Sequence, residues 1–355
     1  MMKIAVIVTS LSNSGPVIVA HDLICLLMQK GHECNIFYFK EKKENTLTFP
    51  CKVERINLMS FRVHFGEYDI VHCHGLRPNI YATLHNPLWC KTPVLTTMHN
   101  YVFEDFYYGM SKYLYKPMAY LMLFSTFRKD KVITLSKDAM KYYSRYIPKK
   151  KLTYAYNSRL CEDLPVEKEL EEKVLSFKGN DILVGSVGSI SKRKNFHQVI
   201  NSLPFLNNIK YCIVGDGVER ETLEKLAIKN GVQDRVLFLG GQPNAYRFMK
   251  YFDLFVLPSK SEGFPLVLIE AMFYHKGIVC SHLQRFEELF EDNEVCYFEL
   301  DNIPSTVNAI QKASKKYKAL GEKIYNHYVQ SYSPECFVNR HLEIYREIIS
   351  IGRNL

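Results

Sequence analysis

Short apolar runs punctuate the chain at near-regular intervals, and between them lie stretches whose apolar residues recur every three or four positions. Residues 3–8, 34–39, 68–74, 92–98 and 131–136 are of the first kind. Each is built around a short apolar run, which marks a buried strand of a parallel sheet rather than one with a wet side. Residues 17–29 are of the second kind and stop at Gly31, a glycine suited to the left-handed end of a helix. A helix over 137–146 follows the fifth run. Residues 152–156 then lead into Asn157-Ser158-Arg159, and 162–178, charged and poor in glycine, read as a connection. The alternation restarts with strands predicted at 182–188, 211–214, 236–239, 254–258, 277–281 and 295–298. Helices are predicted at 219–230, from Pro265 onward, and at 334–351. Strand–helix repetition at this spacing predicts α/β architecture with parallel sheets, and its restart near residue 160 predicts two such domains.

Length agrees, because 355 residues exceed one typical core. No run approaches the 18 apolar residues of a membrane span, and residues 1–8 are a first strand, too short for the apolar part of a signal peptide. The ten cysteines never stand closer than nine residues apart, which excludes a Cys-x-x-Cys zinc site and fits reduced thiols in a cytoplasmic protein.

Charge changes the picture more. The formal net charge is +9, and residues 1–165 carry all of it, with 22 Lys/Arg against 13 Asp/Glu. An anionic surface or substrate is expected for the N-terminal half alone. No helix-turn-helix, zinc-finger or RNA-binding signature accompanies the charge, so an anionic membrane is preferred over nucleic acid as the partner. Residues 101–131 are dense in Tyr, Met and Phe, with Lys112 and Lys116 interspersed. Two readings stand side by side: a segment at a membrane–water interface, or a helix pair packed into the N-terminal core.

Candidate chemistry concentrates at 259–271, Ser-Lys-Ser-Glu-Gly-Phe-Pro-Leu-Val-Leu-Ile-Glu-Ala. A buried strand, a glycine turn and a helix opening at Pro265 make an anion site. The N–H groups of Phe264, Leu266 and Val267 would point at a phosphate, with Gly263 supplying the turn. Glu262 sits in the turn and Glu270 lies eight residues on, where a carboxylate in an apolar helix needs a partner. A second basic site, Lys192-Arg193-Lys194 before Asn195, follows the strand ending at Gly188. Alone, such a triplet is usually a solvated face. Two further strands end in histidine, at His74 and His99, where open α/β sheets place ligands. The first strand is not followed by Gly-x-Gly-x-x-Gly, which argues against a standard dinucleotide site.

The string Ser-x-x-Glu-Gly-Phe-Pro-x-x-x-x-Glu-Ala resembles the nucleotide-sugar motif of the retaining glycosyltransferases of family 4, with the GT-B fold. That fold sets two Rossmann-like domains across a central cleft, here 1–160 and 161–333, with 334–355 a helix that crosses back towards the first. The resemblance implies that Glu262 contacts the donor sugar and Glu270 the ribose hydroxyls. It places Lys194, and Arg193 beside it, on the donor diphosphate, His99 near the reacting carbon with His74 in support, and Gly15 in a loop that closes on the diphosphate. Glu288 is expected to orient the phosphate-binding helix. Residues 215–217 and 241–243 would border the base. Three departures are visible: Ser189 stands where the family most often has Arg, Ser158 replaces a glycine, and the Gly-Gly turn before Glu288 is missing. The implied reaction moves a hexose or N-acetylhexosamine from a nucleotide diphosphate, UDP being the common carrier in the family, to a glycan acceptor. A lipid-linked acceptor in surface-polysaccharide or O-antigen assembly suits the basic N-terminal half, with the protein peripheral on the inner face of the cytoplasmic membrane. No cofactor is expected, and with no Asp-x-Asp in the chain, no metal. The alternatives are another GT-B enzyme, such as an epimerase, or a degenerate GT-B domain that only binds.

Overall fold

The computed structural model describes residues 1–41, 46–291 and 293–353. They divide into two compact units, Met1–Leu160 with Tyr332–Leu355, and Cys161–Ser331.

The N-terminal unit is a seven-stranded, all-parallel sheet in the order β3-β2-β1-β4-β5-β6-β7. Its strands are β1 (Lys3–Ser10), β2 (Glu33–Lys40), β3 (Lys52–Arg55), β4 (Ile70–His74), β5 (Val94–Met98), β6 (Lys131–Thr134) and β7 (Leu152–Tyr154). Crossover helices are α1 (Gly15–Gln29), α2 (Leu76–His85), α3 (Val102–Gly109), α4 (Tyr115–Phe124) and α5 (Lys137–Tyr143). All five residues of β4 and of β5 are buried, as their apolar runs require of central strands. α1 stops as expected: Gly31 takes φ +83°, and the N–H of His32 reaches back to the carbonyl of Leu27 at 3.0 Å. β3 was not legible, because an edge strand reading Lys-Val-Glu-Arg carries no apolar run. α5 ends three residues short of the helix predicted to Tyr146.

The C-terminal unit is a six-stranded parallel sheet in the order β10-β9-β8-β11-β12-β13. It comprises β8 (Ile182–Val187), β9 (Ile209–Val214), β10 (Val236–Gly240), β11 (Leu254–Leu257), β12 (Gly277–Ser281) and β13 (Val295–Phe298). Its helices are α6 (Lys168–Lys178), α7 (Phe196–Ser202), α8 (Arg220–Lys229), α9 (Leu266–Phe273), α10 (Ile303–Ser314) and α11 (Tyr317–His327). The segment read as a connection is therefore partly a helix, α6, which buries Val174. A core of Val184, Ile213, Val256, Val279 and Ile310 runs through the unit, each such side chain contributing about 1.5–3 kcal/mol of burial.

The last helix, α12 (Pro334–Arg353), belongs to the N-terminal unit. It packs against α1. Its Tyr345 hydroxyl lies 2.7 Å from Nδ1 of His72 in β4. The neighbouring chain is fixed to the same unit: Asp22 of α1 accepts from Arg159 at 2.7 Å and from the N–H of Leu160 at 3.0 Å, and the Ser158 hydroxyl donates to the carbonyl of Tyr332 at 2.6 Å.

Candidate active-site residues in the two units

In the C-terminal unit, three loops leave the carboxyl ends of neighbouring strands β8, β11 and β12 and meet at one turn. The β8 loop carries Lys192-Arg193-Lys194, and the N–H of Lys260 in the β11 loop bonds to the carbonyl of Arg193 at 2.8 Å. Glu262 lies inside this junction, 7% exposed. Its Oε1 accepts from Lys194 Nζ at 2.7 Å and from the Ser259 hydroxyl at 2.7 Å, and its Oε2 is 3.0 Å from the Arg193 guanidinium. Burial alone pushes the carboxyl up. Lys194, Arg193 and the bonds from Lys194 and Ser259 outweigh it and hold the pKa at about 2. Glu262 is thus an ionised, buried carboxylate between two cations. Of the basic triplet Lys192 is exposed, Arg193 half-buried and Lys194 buried.

Gly263 and Phe264 complete the turn, and α9 begins at Leu266, with Pro265 as its N-cap rather than its first helical residue. Pro265 offers no side-chain cap, so the first N–H groups of α9, those of Leu266 and Val267, have no carbonyl partner within the helix. Glu270 is buried on the second turn of α9. Glu288 is half-buried beyond β12. From that same loop comes a residue the sequence did not single out: Arg285 donates to the Glu262 carbonyl at 2.7 Å. Ser189 is exposed. The guanidinium groups at this turn belong to Arg193 and Arg285. An arginine in a polar turn announces nothing until the order of β11 and β12 is known.

Next to this junction the β8 and β9 loops touch backbone to backbone. The N–H of Ile190 bonds to the carbonyl of Asp216 at 2.9 Å, and Gly215 and Gly217 permit the approach.

In the N-terminal unit a hollow of about 370 Å³ opens above β4 and β5, with Ser14, Pro16, His74, His99 and Asn100 in its wall. Gly15, the first residue of α1, is exposed between two of these. His74 Nδ1 and His99 Nε2 are 2.9 Å apart, with rings stacked at 5.1 Å. Behind them His72 bonds to Tyr345 and, at 2.8 Å, to Thr97, and the ring of His341 of α12 lies tilted at 6.1 Å from that of His72. Burial, reinforced by the neighbouring imidazoles, drives His72 and His74 far below the usual histidine range. Burial and then His341 bring His99 to about 3; burial brings His341 to about 4. All four are neutral at pH 7. His74 Nε2 is buried without a partner. An orphaned lone pair costs less than an orphaned N–H, so the His74 proton belongs on Nδ1, donated to His99. His99 then carries its own proton on Nδ1.

Because these imidazoles charge readily only when unfolded, their burial leaves stability intact above pH 6.5. Stability is then lost as the pH falls towards 3–4, where the folded state begins to take up the same protons. Nitrogen-15 spectra of histidine-labelled protein are expected to show at least four of the 12 imidazoles neutral at about pH 5. Four titrating signals in their place would contradict the buried stack.

The description "Glycosyl transferases group 1" matches residues 167–328, and "Glycosyltransferase Family 4" matches residues 13–158. The chain is 30% identical over 356 residues to the O-antigen biosynthesis glycosyltransferase WclY of Escherichia coli, covering 98% of this chain and 99% of that protein. It is 27% identical over 262 residues, 70% of this chain and 67% of the other, to the E. coli UDP-Gal:alpha-D-GlcNAc-diphosphoundecaprenol alpha-1,3-galactosyltransferase. Among solved structures, Anabaena Alr3699/HepE in complex with UDP superposes with a TM-score of 0.81 at 18% identity, over 98% of this chain and 100% of that one. Two parallel-sheet units, matched in turn by these families, and full-length identity to a glycosyltransferase establish that the chain belongs to glycosyltransferase family 4, with the GT-B fold.

Proposed function

We propose that the protein is a retaining transferase that moves a hexose or N-acetylhexosamine from a UDP-sugar to a hydroxyl of a lipid-linked glycan, in O-antigen or lipopolysaccharide assembly, without a metal ion. The observation that carries this reading is the buried Glu262 carboxylate clasped by Lys194 and Arg193 at the mouth of α9. Two cations and a helix N-terminus are what a departing diphosphate needs. The substrate classes are supported by the relatives: one is named for a UDP-galactose donor and a diphosphoundecaprenol acceptor, and another for O-antigen biosynthesis.

In this reaction the bond between the sugar carbon and the phosphate oxygen breaks, and its electron pair stays on the diphosphate. Lys194, Arg193 and the first N–H groups of α9 take up the growing charge. The acceptor oxygen bonds to the same face of the sugar, and its proton passes to the leaving phosphate oxygen. Glu262, relieved of Lys194 as the diphosphate arrives, accepts from a donor-sugar hydroxyl. Glu270 accepts from the ribose. His99 is neutral, so what it can offer a ligand is a hydrogen bond rather than charge.

The direct test is slow hydrolysis of nucleotide sugars with EDTA present and no acceptor. UDP-glucose, UDP-galactose, their N-acetylhexosamine forms and GDP-mannose form the panel, with Glu270→Ala as the control. Release of UDP from one donor, lost in the control, is expected. Silence across the panel together with no nucleotide binding by calorimetry would point to a domain that has lost catalysis.

A further inference from the structure

We propose that one face of the N-terminal unit, assembled from three separate segments, docks on an anionic lipid bilayer. The first segment is the end of α2 and the loop after it, where Leu84, Leu88 and Trp89 stand out, Trp89 at 86% exposed. The second is the end of α4 and its extension, where Phe124 and Phe127 stack at 6.4 Å, 72% and 73% exposed. The third is the run Lys149-Lys150-Lys151.

These segments are joined. Arg128 donates to the carbonyl of Asn86 at 2.9 Å and to that of Thr83, tying the second segment to the first. Lys151 donates to the carbonyl of Phe127 at 2.7 Å and lies 5.9 Å from its ring, tying the third to the second. Lys151 also lines two hollows, one of about 560 Å³ beside Phe124 and Phe127 and one of about 760 Å³ beside Leu88.

Large rings and leucines this exposed and this close together are not the scattered apolar residues of an ordinary surface. Aromatic side chains set among lysines suit the headgroup level of a bilayer, where rings enter the boundary and ammonium groups meet lipid phosphates. The pairing of an apolar patch with a polybasic run supplies the two signals that stable peripheral attachment requires. The charge favours lipid over a protein groove. The two readings of 101–131 also resolve into two faces. α3 turns Val102, Phe103 and Phe106 into the core and α4 does the same with Ala119, Met122 and Leu123, while Tyr107, Tyr113, Tyr120 and Phe124 stand exposed on the outer side of the same segment. No helix among the described residues is long and apolar enough to cross a bilayer.

Docking is independent of the reaction proposed above, and it can be read with no donor present. Trp89 is the only tryptophan, so the emission of the full chain reports on this face alone. Mixed with phosphatidylglycerol vesicles, the protein is expected to shift its emission to the blue and to sediment with the lipid; phosphatidylcholine vesicles are expected to leave it free. Each lysine near a charged surface is worth about fivefold in affinity, so Lys149→Gln with Lys150→Gln should weaken binding about twenty-five-fold. Phe124→Ser with Phe127→Ser should abolish the shift while leaving the thermal midpoint unchanged, since both rings are exposed. No shift on any vesicle, binding indifferent to lipid charge, or full affinity in either double variant would overturn the proposal. So would a response to duplex DNA as strong as that to phosphatidylglycerol.

Discussion

Replacing Lys194 by Ala is expected to lower the turnover number for sugar transfer about a hundredfold, the usual cost, about 3 kcal/mol, of removing one preorganised partner from developing charge. Lys194 is buried and already desolvated, so its interaction with a leaving diphosphate is not diluted by water. The substitution also acts on the empty enzyme. It removes the closest cation from Glu262, and breaking one partner from a buried ion pair costs about 3–5 kcal/mol when nothing remains. Here Arg193 and Ser259 remain, so the fold should survive with a lowered melting temperature. The two effects separate in the pair Lys194→Ala and Glu262→Gln. If both residues serve one transition state, the double variant loses much less than the sum of the single losses in free energy. If Lys194 only neutralises Glu262, Glu262→Gln should restore activity to Lys194→Ala. A turnover number within threefold of the native value in Lys194→Ala would remove Lys194 from the proposed chemistry.

The sequence brought Lys194 and Glu262 into view separately, each in its own polar turn after an apolar strand. Their contact was not legible. It depends on β8 lying beside β11, a neighbourhood set by the crossover order of the whole unit and by nothing local to either turn. Arg285 was missed for the same reason, since only the next strand, β12, brings it to the Glu262 carbonyl. The histidine stack shows the limit more sharply. His74 and His99 stand at the ends of readable strands, but His341 and Tyr345 arrive from α12, and no spacing links them to β4. α6 was different, because the information was present. Leu170, Val174 and Phe177 recur at helical spacing, and the surrounding Glu and Lys residues concealed it. What periodicity conveys well is a strand buried on both faces, and both parallel sheets followed from it.

Gly215→Ala is expected to be among the most damaging small substitutions in the C-terminal unit. A Cβ built on Gly215 would lie 1.9 Å from the carbonyl oxygen of Gly188, and one on Gly217 would lie 2.3 Å from that of Ile190. Both obstacles are backbone atoms, so no side chain can swing aside. Relief requires the β8 and β9 loops to part. That would strain the bonds from Gly188 N–H to Val214 and from Ile190 N–H to Asp216. Overpacking of this kind costs about 3 kcal/mol, which in a domain of this size lowers the melting temperature by roughly 6–12 °C. The β8 loop continues directly into Arg193 and Lys194, so the displacement should also reach the proposed donor site. Nucleotide affinity measured well below the new melting temperature should fall as well. Gly241→Ala is the control, because its nearest neighbour would be the Asp216 side chain at 3.8 Å, an ordinary contact. Its melting temperature should stay within about 2 °C of the native value. If Gly215→Ala melts with Gly241→Ala, the two loops do not touch as described. If it melts early but binds nucleotide normally, the loop contact serves the fold alone.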